Sequence, residues 1–408
     1  MEEGGKVPDE GRGGAWDADA PAAANPTPRR PPPERPAASS PRAAPGATGT
    51  GAGPAAPPGP RAGAGGGIPV IPDRPVPSAR LLAHLQRRHG LAWAGDPVDL
   101  GGSSSLNLRL RERRGDVVVR VHRAWVAPAR LTAVQAVRAA LRAAGLPVPE
   151  PVPARDGAPW TAVGEQLVEV ERYLPGEAMN SWPRLLTGLR RLGRVHGVLA
   201  GLPAGPAARA APAANQLDAD EALPLARRAA AVIRRWARSA DERAAAAATE
   251  ALAEHLETAR RPVNGRLPRQ LVHGDFWDTN VLFDADAVVA ILDLDFMAER
   301  ERIDDIALIL CYTNSGRTLP RGTRPDERRR RLRALVDAYD RGLSARLTAV
   351  ERAALPLALA RVALSYTRHL LQRGTEAEQR AVLTAWAGDL DRSLAIVRDL
   401  GRWQDAFA

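Results

Sequence analysis

From about residue 178 to the C-terminus the chain is written in long Ala- and Arg-rich helical patterns, and one stretch interrupts them. Leu271 to Phe296 reads as loop, strand, turn and strand: Val281-Leu282-Phe283, then Asp284-Ala285-Asp286, then Val288 to Leu292. β-branched and aromatic runs around a polar turn form hairpins, so a short hairpin must be seated inside a helical body. The polar residues bracketing it carry the most information. His273-Gly274-Asp275-Phe276-Trp277-Asp278-Thr279-Asn280 precedes it, and Ile291-Leu292-Asp293 closes it.

An Asp and an Asn five residues apart, followed by an Asp at the end of an apolar run, is a layout suited to magnesium-dependent phosphoryl transfer. The first acid can take the proton of a hydroxyl nucleophile, and the Asn and the later Asp can hold a metal that bridges ATP phosphates. The strand-turn-strand between Asn280 and Asp293 would return both to one edge. Taken singly, Asp275 reads rather as a helix cap and Asp293 as the end of a surface strand. The spacing as a set favours catalysis.

Ahead of the helices lies a small β-rich region. A short helix is expected over residues 80–90, then strands at Leu106 to Leu110 and Val117 to Val121 about the Arg114-Gly115-Asp116 turn. A helix over 128–144 has Leu131, Val134, Val137 and Leu141 in register, with Gly145 as its left-handed cap. Two further strands are expected around Trp160–Val163 and Gln166–Tyr173, and helices over 179–199, 222–238, 241–260 and from Asp305 onward. The fold class is therefore α+β, with a small β-rich lobe over 76–175 and a larger helical lobe over 176–408. Residues 1–75 are Pro, Gly, Ala and Arg with few large apolar side chains, and read as a disordered tail. No apolar run is long enough to span a membrane, and a cytoplasmic protein is expected.

Charge and rare residues exclude several classes. The net charge of +10 belongs to the ordered part, because residues 1–79 hold eight acids and eight cations. Lys6 is the only lysine, so a phosphate loop of the Gly-Lys-Ser/Thr kind cannot operate. The arginine excess follows compositional bias rather than a nucleic-acid footprint, and no nucleic acid is expected as partner. The run Arg328 to Arg331 reads as a solvated helix face. Cys311 stands alone, which excludes an internal disulfide and a thiolate zinc site.

At 271–307 the chain resembles the aminoglycoside phosphotransferase and homoserine kinase-like family, and the resemblance extends over roughly 95–385. It implies a bilobal protein-kinase-like fold and an ATP- and Mg2+-dependent kinase acting on a small-molecule hydroxyl, with ATP the family default over GTP. Asp275 matches the catalytic base, Asn280 and Asp293 the metal ligands, and His273 and Asp305 the residues that brace the catalytic loop. Gly101, Gly102, Ser103 and Ser104 fall where a flexible backbone approaches ATP phosphates, and Arg120 where the family places a phosphate-contacting Lys. Gln135 stands in place of that cation's Glu partner. The acceptor pocket is expected near Asp275, Trp277 and Asp295, with Asp278, Glu299, Glu301 and Asp304 as further acids. His196 reads as a packing residue, and His122, with no metal-ligand spacing, as a surface or packing residue. The departures at Arg120 and Gln135 motivate an alternative, a catalytically silent nucleotide-binding regulator of the same fold; the arginine-rich charge motivates another, a nucleic-acid-binding protein.

Overall fold

The structure is a computed structural model that describes residues 75–102, 105–123, 126–209, 216–315 and 323–408. The tail expected over 1–75 lies outside the described residues but for Pro75, as do Ser103 and Ser104.

α1 (Ala79–His89) starts on the Ser78 side chain, which accepts the Leu81 N–H, and stops at left-handed Gly90. The sheet that follows contains β1 (Trp93–Asp99), β2 (Leu106–Glu112), β3 (Val117–Val121), β4 (Thr161–Val163) and β5 (Gln166–Arg172), in the antiparallel order β1-β2-β3-β5-β4. Period-two alternation puts Leu106, Leu108 and Leu110 on one face, where they pack with Val119, Val168 and Val170 beneath Leu81 and Leu85. The register sets Arg120 beside Asn107 on one flank and Glu169 on the other. α2 (Pro128–Ala143) begins with Pro at its first position and is followed by left-handed Gly145. Its Val134, Val137 and Leu141 leave the sheet lobe and join the core of the helical lobe.

The helical lobe opens with β6 (Glu177–Ala178), α3 (Trp182–Ala200), α4 (Pro206–Arg209), α5 (Ala219–Trp236) and α6 (Ala240–Arg260). α5 and α6 each start on a reciprocal capping box, Asp218 with Glu221 and Ser239 with Glu242. The interruption then appears as expected: β7 (Arg269–Val272), a loop, β8 (Val281–Asp284) and β9 (Ala287–Ile291), with β6 along the outer edge of β8. β10 (Ala298–Glu301) pairs with β7, and no sequence signal announced it. Its Ala-Glu-Arg-Glu run lacks β-branched residues, so the open edge of β7 makes it a strand. The lobe closes with α7 (Ile303–Asn314), α8 (Pro325–Gly342), α9 (Ala349–Arg361), α10 (Tyr366–Leu371), α11 (Glu376–Arg398) and α12 (Leu400–Phe407). Among the described residues no helix is long and apolar enough to cross a membrane. In α8, Arg328 bonds to Asn314, Arg329 to Asp326, and Arg330 and Arg331 to Glu327, so each of these four cations has a partner.

α3 and α8 approach so closely that only glycine fits at two points. A Cβ on Gly193 would collide with the Tyr339 carbonyl, and one on Gly342 with the Arg190 carbonyl. Gly193→Ala is therefore expected to destabilise the protein by about 1–3 kcal/mol, as overpacking does. Denaturant unfolding would read it as a lower midpoint at unchanged slope, and an unchanged midpoint would mean that the helices separate without cost.

Candidate active site

The loop after β7 is anchored from below. Asp305, on the first turn of α7 and fully buried, accepts the N–H of His273 at 2.7 Å and of Gly274 at 2.8 Å. It also meets His196 Nε2 at 3.0 Å, while His196 Nδ1 meets the Tyr339 hydroxyl at 2.8 Å. Burial works against the Asp305 charge, but His196 and the backbone N–H of Gly274 outweigh it and hold the carboxyl below its usual range. Gly274 is left-handed, and a Cβ there would strike the Phe296 carbonyl. Burial lowers the pKa of His273, so its ring is neutral. Nε2 then donates to the Leu292 carbonyl at 2.9 Å and Nδ1 accepts the Asp275 N–H at 3.3 Å. These contacts fix the tautomer.

Asp275 and Asn280 come together at the mouth of the loop. The Asn280 Nδ2 donates to the Asp275 carbonyl and to Asp275 Oδ2, both at 2.9 Å. With its amide nitrogen used twice, Asn280 has its side-chain oxygen for a cation. Its backbone carbonyl accepts the Leu292 N–H at 2.8 Å, which ties the loop to the end of the hairpin one residue short of Asp293. Asp293 has φ 60°, a left-handed backbone that an Asp tolerates better than most residues and that recurs at functional positions. Its Oδ1 lies 2.7 Å from Arg120 Nη2.

Arg120 joins the two lobes. The same Nη2 donates to Asp295 Oδ2 at 2.9 Å. Burial opposes the Arg120 charge, yet Asp293, Asp295 and Glu169 outweigh it and raise its pKa further. Beside it, fully buried His122 lies 3.2 Å from Glu169 Oε1 and 3.5 Å from Asp295 Oδ2. Burial would neutralise this ring, but Asp295 and Glu169 push its pKa up to about 9. Glu169 also accepts from Gln135, and from Arg138 at 3.1 Å; Arg138 reaches Glu171 as well. Against its burial, Arg138, His122 and Arg120 bring the Glu169 pKa down to about 2. Arg130, from α2, donates to the backbone carbonyls of Asp295 and Met297 and pins the segment after Asp293. From sequence alone His122 reads as a surface or packing residue, and Glu169, Arg130 and Arg138 carry no signal. The structure buries His122 and sets it between two acids, which no sequence signal announced.

The remaining candidates are placed as follows. Gly101 and Gly102 both have positive φ, and Asn107, which is opposite Arg120, donates to the Gly101 carbonyl at 2.9 Å. The glycine turn is thereby tied to the strand position facing Arg120. Trp277 packs against Tyr312, the rings tilted by 40° with centroids 5.4 Å apart. Asp295, expected in the acceptor pocket, has its side chain inside the ion cluster with Arg120 and His122. Glu301 is buried in a paired contact with Arg260, at 2.9 and 2.7 Å, and buried Asp304 is bonded to Arg361. Burial carries the Asp304 carboxyl up to about 7. Glu299 faces Arg209 at 3.2 Å. Asp295, Glu299, Glu301 and Asp304, four of the acids expected at the acceptor pocket, are thus already matched with arginine.

No three His, Cys, Asp or Glu side chains converge among the described residues to cage a metal by themselves. Asp293 and the Asn280 amide oxygen are hard oxygen donors and fit a magnesium ion that completes its shell with phosphate and water.

The model of the phosphotransferase enzyme family matches residues 97–345. The homoserine kinase of Gluconacetobacter diazotrophicus is 31% identical over 277 residues, which cover 67% of this chain and 78% of that protein. The homoserine kinase of Acidiphilium cryptum is 27% identical over 209 residues, 51% of this chain and 61% of that one. Among solved structures, a microcompartment-associated aminopropanol kinase superposes with a TM-score of 0.62 at 17% identity, over 79% of this chain and 99% of that one. An amicoumacin kinase in complex with AMP-PNP and Ca2+ superposes with a TM-score of 0.57 at 14% identity, over 76% and 92%. These two likenesses show the bilobal fold.

Proposed function

The chain belongs to the phosphotransferase enzyme family, and from that premise we propose that it moves the γ-phosphoryl group of ATP to the hydroxyl of a small amino alcohol, with Asp275 as the base. The observation that carries this reading is the shared scaffold of base and metal acids. Asn280 grips the Asp275 carboxylate, and the Leu292 N–H grips Asn280 next to Asp293.

In this reading Asp275 accepts the hydroxyl proton of the acceptor, and the Asn280 amide holds the carboxylate in place for it. Asn280 and Asp293 would hold Mg2+, which when bound supplies positive charge against the phosphate oxygens. Arg120 adds a second cation, on the strand facing the glycine turn at Gly101 and Gly102, which would follow the phosphates with its backbone. Asp305 and His273 keep the loop shape from below. Trp277, packed against Tyr312, would wall the acceptor side. The similarity to homoserine kinases supports homoserine as the first acceptor to test. Pairing of Glu301, Asp304 and Asp295 with arginines speaks against a polycationic acceptor.

The test is magnesium-dependent phosphoryl transfer from ATP to homoserine, other amino alcohols and a wider panel of hydroxylated metabolites and antibiotics, read by mass spectrometry. A phosphomonoester that needs magnesium and the native protein is the expected result. Tight binding of Mg-ATP with no product from any acceptor would favour the silent regulator instead.

A further inference from the structure

The family pattern stated above gives the phosphate-contacting cation an acid on the next helix, and here that helix offers Gln135. The structure assigns the task elsewhere: we infer that Glu169, His122 and Asp295 are positioning residues that hold Arg120 at the nucleotide, replacing the missing helix acid by a charge-inverted arrangement. This rests on the kinase reading of the site. The acid sits on β5 and the donors sit on α2, since Gln135 Nε2 and Arg138 Nη1 both reach Glu169 Oε2. From the other Glu169 oxygen the contact passes to His122 Nε2 at 3.2 Å, and from His122 Nδ1 to Asp295 Oδ2 at 3.5 Å. That same Asp295 oxygen takes Arg120 Nη2 at 2.9 Å, leaving Arg120 also on Asp293.

Three features make this more than packing. The chain of contacts runs from the helix to the proposed metal acid, through both lobes, without a gap longer than 3.5 Å. Burying this many charges costs desolvation that apolar side chains of like volume would avoid, so stability alone does not account for them. His122 lies between two acids that would otherwise repel each other in a buried space. Were phosphate and metal to take up Arg120 and Asp293, Asp295 would remain as the contact that keeps the guanidinium in place.

The experiment measures Mg-AMP-PNP affinity by calorimetry, together with KM for ATP, KM for acceptor and kcat, on the full chain. The variants are Glu169→Gln, His122→Gln and Gln135→Glu, each first checked for a native-like melt. Glu169→Gln and His122→Gln are expected to weaken nucleotide binding roughly tenfold, as loss of supporting contacts around a site does, and to raise KM for ATP while KM for the acceptor stays put. The deciding variant is Gln135→Glu. It restores the family's helix acid, yet should weaken nucleotide binding, because the new carboxylate would face Glu169. Tighter binding by Gln135→Glu, or folded Glu169→Gln and His122→Gln proteins that bind within twofold of native, would overturn the inference. Failure of the native protein to bind Mg-AMP-PNP would instead bring down the kinase reading, and this inference with it.

Discussion

Replacing Asp275 with Asn is expected to lower turnover by about 10²–10⁴-fold, the range supplied by a positioned general base, while Mg-AMP-PNP affinity changes little. The substitution keeps the shape and leaves an amide that can still pair with the Asn280 Nδ2, which now spans the Asp275 carbonyl and Oδ2. What it removes is the proposed proton acceptor. Arg120 and Asp293 meet each other at 2.7 Å, without help from Asp275, so nucleotide binding should survive. Single-turnover kinetics with calorimetry on the same preparation would separate the two effects. Native-like turnover in the variant would show that the hydroxyl is activated by another group.

Asp305→Ala should be the most damaging change outside the reacting groups. It would leave two backbone N–H groups, those of His273 and Gly274, and His196 without their acceptor in a fully buried place. Breaking a buried charged contact from one side costs about 3–5 kcal/mol, a large part of the 5–15 kcal/mol, as an order of magnitude, that folded domains possess. Denaturant unfolding at neutral pH reads it in full. The Asp305 carboxyl is held below its ordinary range, so its contribution is present above the unfolded-state value and is lost only as pH falls through the folded one. Activity should fall as well, because His273 and Gly274 set the path of the chain into Asp275. A variant that melts with the native protein and turns over normally would show that the loop holds its shape from above, through Asn280 and Leu292.

Much of this architecture was legible in the residues. Alternation at 106–110 and 117–121, the helical period over 128–144 and the hairpin between Asn280 and Asp293 all appear in the structure within a residue or three. Short-range pattern carries such elements, since each depends on neighbours in sequence. The ion cluster was not legible, for the opposite reason. His122 meets Asp295 only because β3 and the segment after β9 are brought together across more than 170 positions, and it meets Glu169 only through the β3–β5 register. Arg130 was hidden differently. It binds backbone carbonyls, which have no residue identity, and it is one arginine in a chain crowded with them. Gly193 and Gly342 gave no sign either, because a helix crossing that excludes a Cβ is a property of two distant turns.

The guanidinium of Arg120 has a consequence for how such a protein is found. Reagents that survey kinases in cell extracts carry an acyl phosphate on the nucleotide and mark the site by acylating a lysine amine beside the phosphates. A guanidinium is too weak a nucleophile for that reaction, and the one lysine of this chain is Lys6. In the proposed kinase the position that lysine capture reads would hold the Arg120 guanidinium, and Mg-ATP should shield that arginine from a dicarbonyl reagent.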